Sequence, residues 1–339
     1  MRLLDSPLPI VAAPMAGGPT TVALAEAVGS AGAYPFLAGG YKTPEALATE
    51  IEQLRPRVGG FGVNLFVPSR LIPDRASFAA YADELRGEAE VHGVQLDPEP
   101  VLDDDHWDQK LRLLIERPVP TVSLTFGLPD ATDIAALRRV GTRVLASVTS
   151  AGEAELARAA GVDGLVVQGT DAGGGHSAVF DPSGSPSQVG TAELVRLVVH
   201  ESGLPVVAAG GVDGPDAVRR LLAAGAEGVA VGTLLLRTDE AGTSQAHRAA
   251  LADPAFAETV VTRAFTGRPA RALRNGFIDR HGSAAPDAYP AVHHLTRELR
   301  AAAGRAGDTD RLHLWAGTGY RRAAEGPAAA VVRRLAAGV

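Results

Sequence analysis

Short apolar runs alternate with longer amphipathic stretches along most of the chain. The runs occupy residues 9–13, 34–38, 60–64, 120–124, 143–148, 164–168, 205–209 and 228–231. Each is brief, rich in Val, Leu or Ala, and flanked by Gly or Pro. That pattern reads as a parallel strand buried on both faces. The stretches between them carry helix signals. Thr43 stands before Pro44, a capping residue followed by proline at the first helical position. Ser150 caps a helix over 151–160, and Gly161 ends it. Asp213-Gly214-Pro215-Asp216 leads into a helix over 217–224 that stops at Gly225. The phrase Leu156-Ala157-Arg158-Ala159-Ala160-Gly161-Val162-Asp163-Gly164 recurs in similar form as Leu221-Leu222-Ala223-Ala224-Gly225-Ala226-Glu227-Gly228. Helix, glycine turn, acidic residue and small residue before a strand therefore repeat in one order. Strands and helices in this alternation predict an α/β fold, a closed (β/α)8 barrel.

Two regions interrupt the alternation. A long segment between the third and fourth runs is predicted to form extra helices, with Asp103-Asp104-Asp105 as a solvated helix start rather than a metal site. Residues 240–305 are polar and rich in Ala and Arg, which predicts a helical insert or lid after the eighth strand. The expected organisation is a barrel of residues 1–239 and 306–339, interrupted by the insert at 240–305, with no flexible linker marking a separate domain.

Composition narrows the function classes. A chain of 339 residues is long for one ordinary domain but normal for a barrel with an appendage. Aromatic residues make up only 5%, so the core must be built from Ala, Val and Leu. A net charge of −7 argues against a broad nucleic-acid-binding face. With no cysteine, disulfides, thiolate metal sites and a cysteine nucleophile are excluded. His293-His294 and His313 lack metal-ligand spacing, so no metal site is expected. No stretch approaches the ~20 apolar residues of a membrane span, and no apolar run near Met1 suits a signal peptide. The expectation is a cytoplasmic protein with no membrane or nucleic-acid partner.

Candidate chemistry gathers after the strands, where such barrels build their sites. Ala13-Pro14-Met15 offers a stiff turn and a polarisable surface for a flat heteroaromatic ring. Asn64 ends the third run and presents a carboxamide able to donate or accept. Ser147 carries a hydroxyl at the end of the fifth run. Gln168 ends the sixth and opens a glycine-rich loop, Gly169 to Gly175, that presents His176. Its glycines permit close backbone approach to a ligand, and an imidazole can take a proton from a carbon acid or hold an anion. Ala209-Gly210-Gly211 and Gly232-Thr233 follow the last two runs, where this fold commonly cradles a phosphate on backbone N–H groups. A phosphate site, a ring platform and two carboxamides together describe a bound FMN.

The ordered segments Ala13-Pro14-Met15-Ala16-Gly17, Phe36-Leu37-Ala38-Gly39-Gly40-Tyr41, Phe61-Gly62-Val63-Asn64-Leu65-Phe66, Val167-Gln168-Gly169, Ala209-Gly210-Gly211 and Val231-Gly232-Thr233 resemble the nitronate monooxygenase family, formerly the 2-nitropropane dioxygenases. Ala264-Phe265-Thr266-Gly267-Arg268-Pro269-Ala270-Arg271 and Leu314-Trp315-Ala316-Gly317 extend the resemblance to nearly the whole chain. The resemblance implies FMN held at Asn64, Gln168, Gly173, Gly210, Gly211, Gly232 and Thr233, with Pro14 and Met15 against its ring and His176 as the catalytic residue. Ala13, Ser147, Gly174 and Ala209 are expected to line the same cofactor site. It implies oxidation of alkyl nitronates, and of nitroalkanes where His176 removes the α-proton, by O2 through a flavin semiquinone to carbonyl compounds and nitrite. The small substrate and O2 are the expected partners, and a homodimer is compatible with the reading. The chain departs from the family's usual pattern in three ways. It has three glycines, Gly173-Gly174-Gly175, before the histidine, Tyr34-Pro35 at the entry to the second run, where Tyr34 is expected at a pocket wall, and Thr318. The alternatives are an NAD(P)H oxidoreductase like the flavin-dependent enoyl-acyl-carrier-protein reductases, a non-catalytic FMN-binding protein, and a phosphosugar isomerase or lyase.

Overall fold

A computed structural model describes residues 3–69, 71–175, 180 and 189–339. In chain order its strands are β1 (Ile10–Ala12), β2 (Phe36–Ala38), β3 (Gly62–Phe66), β4 (Thr121–Thr125), β5 (Arg143–Val148), β6 (Gly164–Gln168), β7 (Gly174–Gly175), β8 (Val206–Ala209), β9 (Gly228–Val231), β10 (Thr259–Thr262) and β11 (Ala270–Leu273). The helices are α1 (Val22–Ser30), α2 (Pro44–Leu54), α3 (Arg75–Glu84), α4 (Arg86–Glu90), α5 (Trp107–Glu116), α6 (Ala131–Arg139), α7 (Ala151–Ala160), α8 (Thr191–Ser202), α9 (Pro215–Ala223), α10 (Gln245–Ala252), α11 (Gly276–His281), α12 (Ala291–Ala306) and α13 (Ala328–Leu335).

Eight parallel strands run in the order β1-β9-β8-β6-β5-β4-β3-β2. The ends meet where Tyr34 N–H donates to Ile10 O at 2.8 Å and Ala12 N–H donates to Tyr34 O at 2.9 Å, so the sheet closes. All the runs expected from the sequence are barrel strands. The caps also fall where the sequence put them. Thr43 accepts from Ala46 N–H, Ser150 accepts from Glu153 N–H, and Gly161 ends α7 in the left-handed region at φ 88°.

Side-chain alternation divides each strand between two environments. One set, including Leu37, Val63, Leu65, Val122, Leu124, Val144, Leu165 and Val206, packs outward against the ring of helices. The other, including Val11, Phe36, Leu145, Val207 and Ala230, fills the barrel interior. Register places Asn64 beside Ser123 and Phe66 beside Thr125, so these share the inward face. Polar inward residues thus cluster toward the C-terminal ends of β3 to β6.

The eighth helix of the ring is α13. It packs on α1 and α9, although most of a hundred residues separate it from β9. The intervening segment holds helices α10 to α12 and also a hairpin, β10 with β11. That hairpin continues into β7 of the glycine loop, with Ala270 paired to Gly175 and Arg271 to Gly174. The two irregular regions cover one another. Phe78, Tyr81 and Leu85 of the α3–α4 excursion share a core with Phe265, Phe277, Val292 and Leu299, and Tyr81 donates to Ala264 O at 2.7 Å.

The acidic run behaves differently from a solvated helix start. Asp103 and Asp104 are exposed, and α5 begins later, at Trp107. Asp105 turns inward, pairs with buried Lys110 at 2.7 Å and accepts from Tyr41 N–H at 2.8 Å. A lysine with 1% of its side chain exposed needs that counter-charge, which is why one of three aspartates is drawn in.

Candidate active site

A cavity of about 640 Å³ opens at the C-terminal ends of the barrel strands. Every described residue expected at the cofactor site lines it, from Ala13, Pro14 and Met15 through Asn64, Ser147, Gln168, Gly173 and Gly174 to Ala209, Gly210, Gly211, Gly232 and Thr233. His176, the expected catalytic residue, lies outside the described residues.

On one side the wall is bare backbone. Gly210 and Gly211 take φ of 113° and 70°, which glycine adopts without strain. A Cβ on Gly210 would lie 3.0 Å from Ala172 N. A Cβ on Gly173 would lie 2.5 Å from Gly317 N, closer than any side chain tolerates. Among the described residues, no backbone carbonyl accepts from the N–H groups of Gly210, Gly211 or Gly232. Thr233 Oγ1 accepts from Gly317 N–H at 2.9 Å, which leaves its own O–H to donate. Free amides and a hydroxyl beside a side-chain-free surface suit a phosphate. Met15 adjoins this wall, its Sδ 3.5 Å from where a Cβ of Gly232 would stand. The residues present therefore fit a phosphate-bearing cofactor with a flat ring.

Across the cavity lies a polar cluster. Asn64, 3% exposed, donates from Nδ2 to Ser123 O at 3.2 Å, Ser123 Oγ at 2.9 Å and Thr125 Oγ1 at 2.8 Å. Thr125 Oγ1 and Ser147 Oγ are 3.3 Å apart. Asn64 and Ser147 were expected at the site, whereas Ser123 and Thr125 join it only in the structure. Their place on the inward alternation of β4 was the signal that could have found them.

The remaining wall comes from loops and the segment after β9. Tyr41, Phe66, Phe126 and Tyr289 form an aromatic rim, with Tyr289 OH donating to Tyr41 OH at 3.3 Å and Arg268 over the Phe126 ring at 4.4 Å. Tyr41 and Phe126 hold φ of 64° and 76°, strained for non-glycine residues. His293 stacks on Tyr41 with ring centroids 4.2 Å apart. Burial, then the Arg300 charge, pushes the His293 imidazole down to about 2. Burial likewise pushes His247 down to about 4 and His313 well below the usual imidazole range. Arg300 is itself lowered by burial to about 10, so it stays cationic at neutral pH. It donates to Thr296 Oγ1 and His293 O. His293, Arg297 and Arg300 recur at i, i+4 and i+7 on α12, the helical spacing by which the sequence could have placed them together.

Tyr34 does not line the cavity. It is buried in the barrel interior, with its hydroxyl 2.8 Å from Thr121 Oγ1 at the opposite end of β4 from Thr125. Phe36, two residues on, is the one that reaches the site. Among the described residues, no cluster of His, Asp or Glu could hold a metal ion, and no helix is long and apolar enough to cross a membrane.

A closed (β/α)8 barrel whose cavity, at the C-terminal mouth, joins a glycine wall after the last two strands to Pro14 and Met15 after the first has the architecture of a barrel enzyme. Comparison with known proteins places the chain within that class. It belongs to the nitronate monooxygenase family, whose model matches residues 4–338. Family membership makes it a flavin-dependent oxidoreductase. A probable nitronate monooxygenase of Staphylococcus saprophyticus is 36% identical over 94% of this chain and 91% of its own length. One from Staphylococcus aureus is 31% identical over 98% and 95%. The solved structure of nitroalkane oxidase from Streptomyces ansochromogenes has 47% identity and a TM-score of 0.93, covering 98% of this chain and 95% of that one. FabK from Thermotoga maritima has 25% identity and a TM-score of 0.74, covering 98% and 93%.

Proposed function

We propose that the cavity holds FMN and that the protein oxidises alkyl nitronates, and nitroalkanes after deprotonation, with O2 to carbonyl compounds and nitrite. The observation that carries this reading is the convergence of a free-amide glycine wall, the Pro14-Met15 surface and the Asn64 cluster on one cavity. The N–H groups of Gly210, Gly211 and Gly232 with the Thr233 hydroxyl would hold the phosphate. Pro14 and Met15 would lie against the ring system, and Asn64, Ser147 and Gln168 would meet its polar edge. When bound, the flavin supplies electron acceptance from the substrate and reactivity toward O2. The protein's own part is to seat the substrate beneath the aromatic rim and to exclude water. We assign proton removal from a neutral nitroalkane to His176. The segment 240–305 is read as the lid that completes the cavity, since Thr266, Arg268, Tyr289, His293 and Arg300 all line it.

His176→Asn tests the catalytic assignment. The variant should keep its FMN and lose most activity on neutral nitroalkanes, while preformed nitronates, already deprotonated, suffer far less. Equal activity of variant and parent on neutral substrates would remove His176 from the mechanism. The reductase alternative predicts instead NAD(P)H oxidation with an enoyl thioester and no nitronate turnover. The much closer match to nitroalkane oxidase than to FabK favours the nitronate reading.

A further inference from the structure

The amide of Asn64 has only one chemically sensible orientation. Its Nδ2 faces Ser123 O at 3.2 Å, and a backbone carbonyl can only accept. Turning the amide over would set Oδ1 against that carbonyl with no hydrogen between them. Ser123 Oγ at 2.9 Å and Thr125 Oγ1 at 2.8 Å complete the set of acceptors around the two N–H bonds. Oδ1 is left over. Among the described residues no donor reaches it, and it belongs to a side chain that lines the cavity while only 3% of the residue is exposed. That oxygen is open to the cavity, where it can accept an N–H or O–H from whatever occupies the site.

We propose that Thr125 is a positioning residue: the Ser123 carbonyl sets which way the Asn64 amide faces, and the Thr125 hydroxyl, its shortest contact at 2.8 Å, holds the second N–H in place, so that Asn64 acts as a pure acceptor and the site selects a ligand presenting an imide N–H between two carbonyls. This rests on reading the cavity as an FMN site, where the N3–H of the flavin's pyrimidine edge is that donor. A freely rotating carboxamide could meet a carbonyl of the same edge equally well by offering Nδ2. The locked one cannot, because both its N–H bonds are spent on β4. The hydrogen-bond acceptors are all supplied by the neighbouring strand β4 in fixed register, Asn64 opposite Ser123, which gives the orientation a rigid support.

The test compares binding of FMN and of its N3-methyl analogue to the cofactor-stripped protein. The methyl group removes the donor and leaves both carbonyls. The parent should bind the analogue roughly tenfold to a hundredfold more weakly than FMN, the penalty of one buried acceptor left unmet. Thr125→Val, close in shape but without the hydroxyl, should bind FMN more weakly and shrink the preference over the analogue, and Thr125→Ser should restore both. Equal affinity of the unaltered protein for the two ligands overturns the proposal while leaving the FMN site intact. An undiminished preference in a folded Thr125→Val variant overturns the role of Thr125. Failure to bind either flavin defeats the cofactor reading itself, and the proposal with it. The comparison on the parent protein needs no variant to fold.

Discussion

Glycines at the cavity wall carry information that their lack of a side chain would seem to deny them. Gly173 is packed so closely on the 316–317 backbone that a methyl group would sit 2.5 Å from Gly317 N. Gly210 combines a positive φ of 113° with a near contact to Ala172 N. Gly210→Ala should therefore lower FMN affinity, and overpacking at Gly173→Ala should cost on the order of 1–3 kcal/mol of stability. Cofactor titration and chemical denaturation measure the two effects separately. Unchanged FMN affinity in Gly210→Ala would show that this backbone is not part of the cradle. The third glycine of the run before His176 has a visible use. Gly174 and Gly175 are paired to Arg271 and Ala270 of β11, and Arg271 Nε donates to Thr170 O at 2.6 Å. The loop's base is thus a registered strand, something no propensity scale assigns to two adjacent glycines.

At the scale of elements, α10 and α12 bring imidazoles into the cavity wall in a form that stays neutral well below their usual range. An unfolded histidine titrates near 6.5. In the folded protein burial pushes the imidazole of His247 down to about 4 and that of His293 down to about 2. Between those values and 6.5 the unfolded chain binds more protons, so stability rises with pH through that window and is lost as pH falls. The melting temperature should drop as pH is lowered from 6.5 toward 4, and His247→Gln should flatten part of that slope. A slope identical in the variant would mean that His247 is not the neutral buried group described. The same two helices were visible in the sequence only as Ala- and Arg-rich polarity. The hairpin between them was not visible. Thr259–Thr262 is half-exposed, and Ala270–Leu273 is broken by a charged residue whose side chain is spent on Thr170 and Thr259. The barrel strands were legible because burial on both faces forces a continuous apolar run, a requirement the small sheet does not share.

For the molecule as a whole, the sequence order of the site residues already described one mouth, because barrel closure brings the end of every strand to the same face. What order could not show was which loops roof that mouth. The ring's last helix, α13, is displaced to the C-terminus, and the segment between β9 and α13 folds back over the site. There it shares a hydrophobic core with the α3–α4 excursion. Two interruptions of the alternation that are far apart in sequence are one cap in space. Tyr81→Phe removes the buried hydrogen bond to Ala264 O that joins them. It should cost about 1–3 kcal/mol and make the 240–305 segment more susceptible to limited proteolysis. Unaltered proteolysis would mean the cap does not depend on that bond.

The most direct test of the functional account is oxygen uptake. The purified, FMN-loaded protein is mixed with a preformed alkyl nitronate, and nitrite is assayed in the same sample. Catalytic O2 consumption with formation of nitrite and a carbonyl compound is the predicted result. An FMN-loaded protein that consumes no O2 with any nitronate, yet oxidises NAD(P)H when given an enoyl thioester, would contradict the account and transfer the same cavity to a reductase.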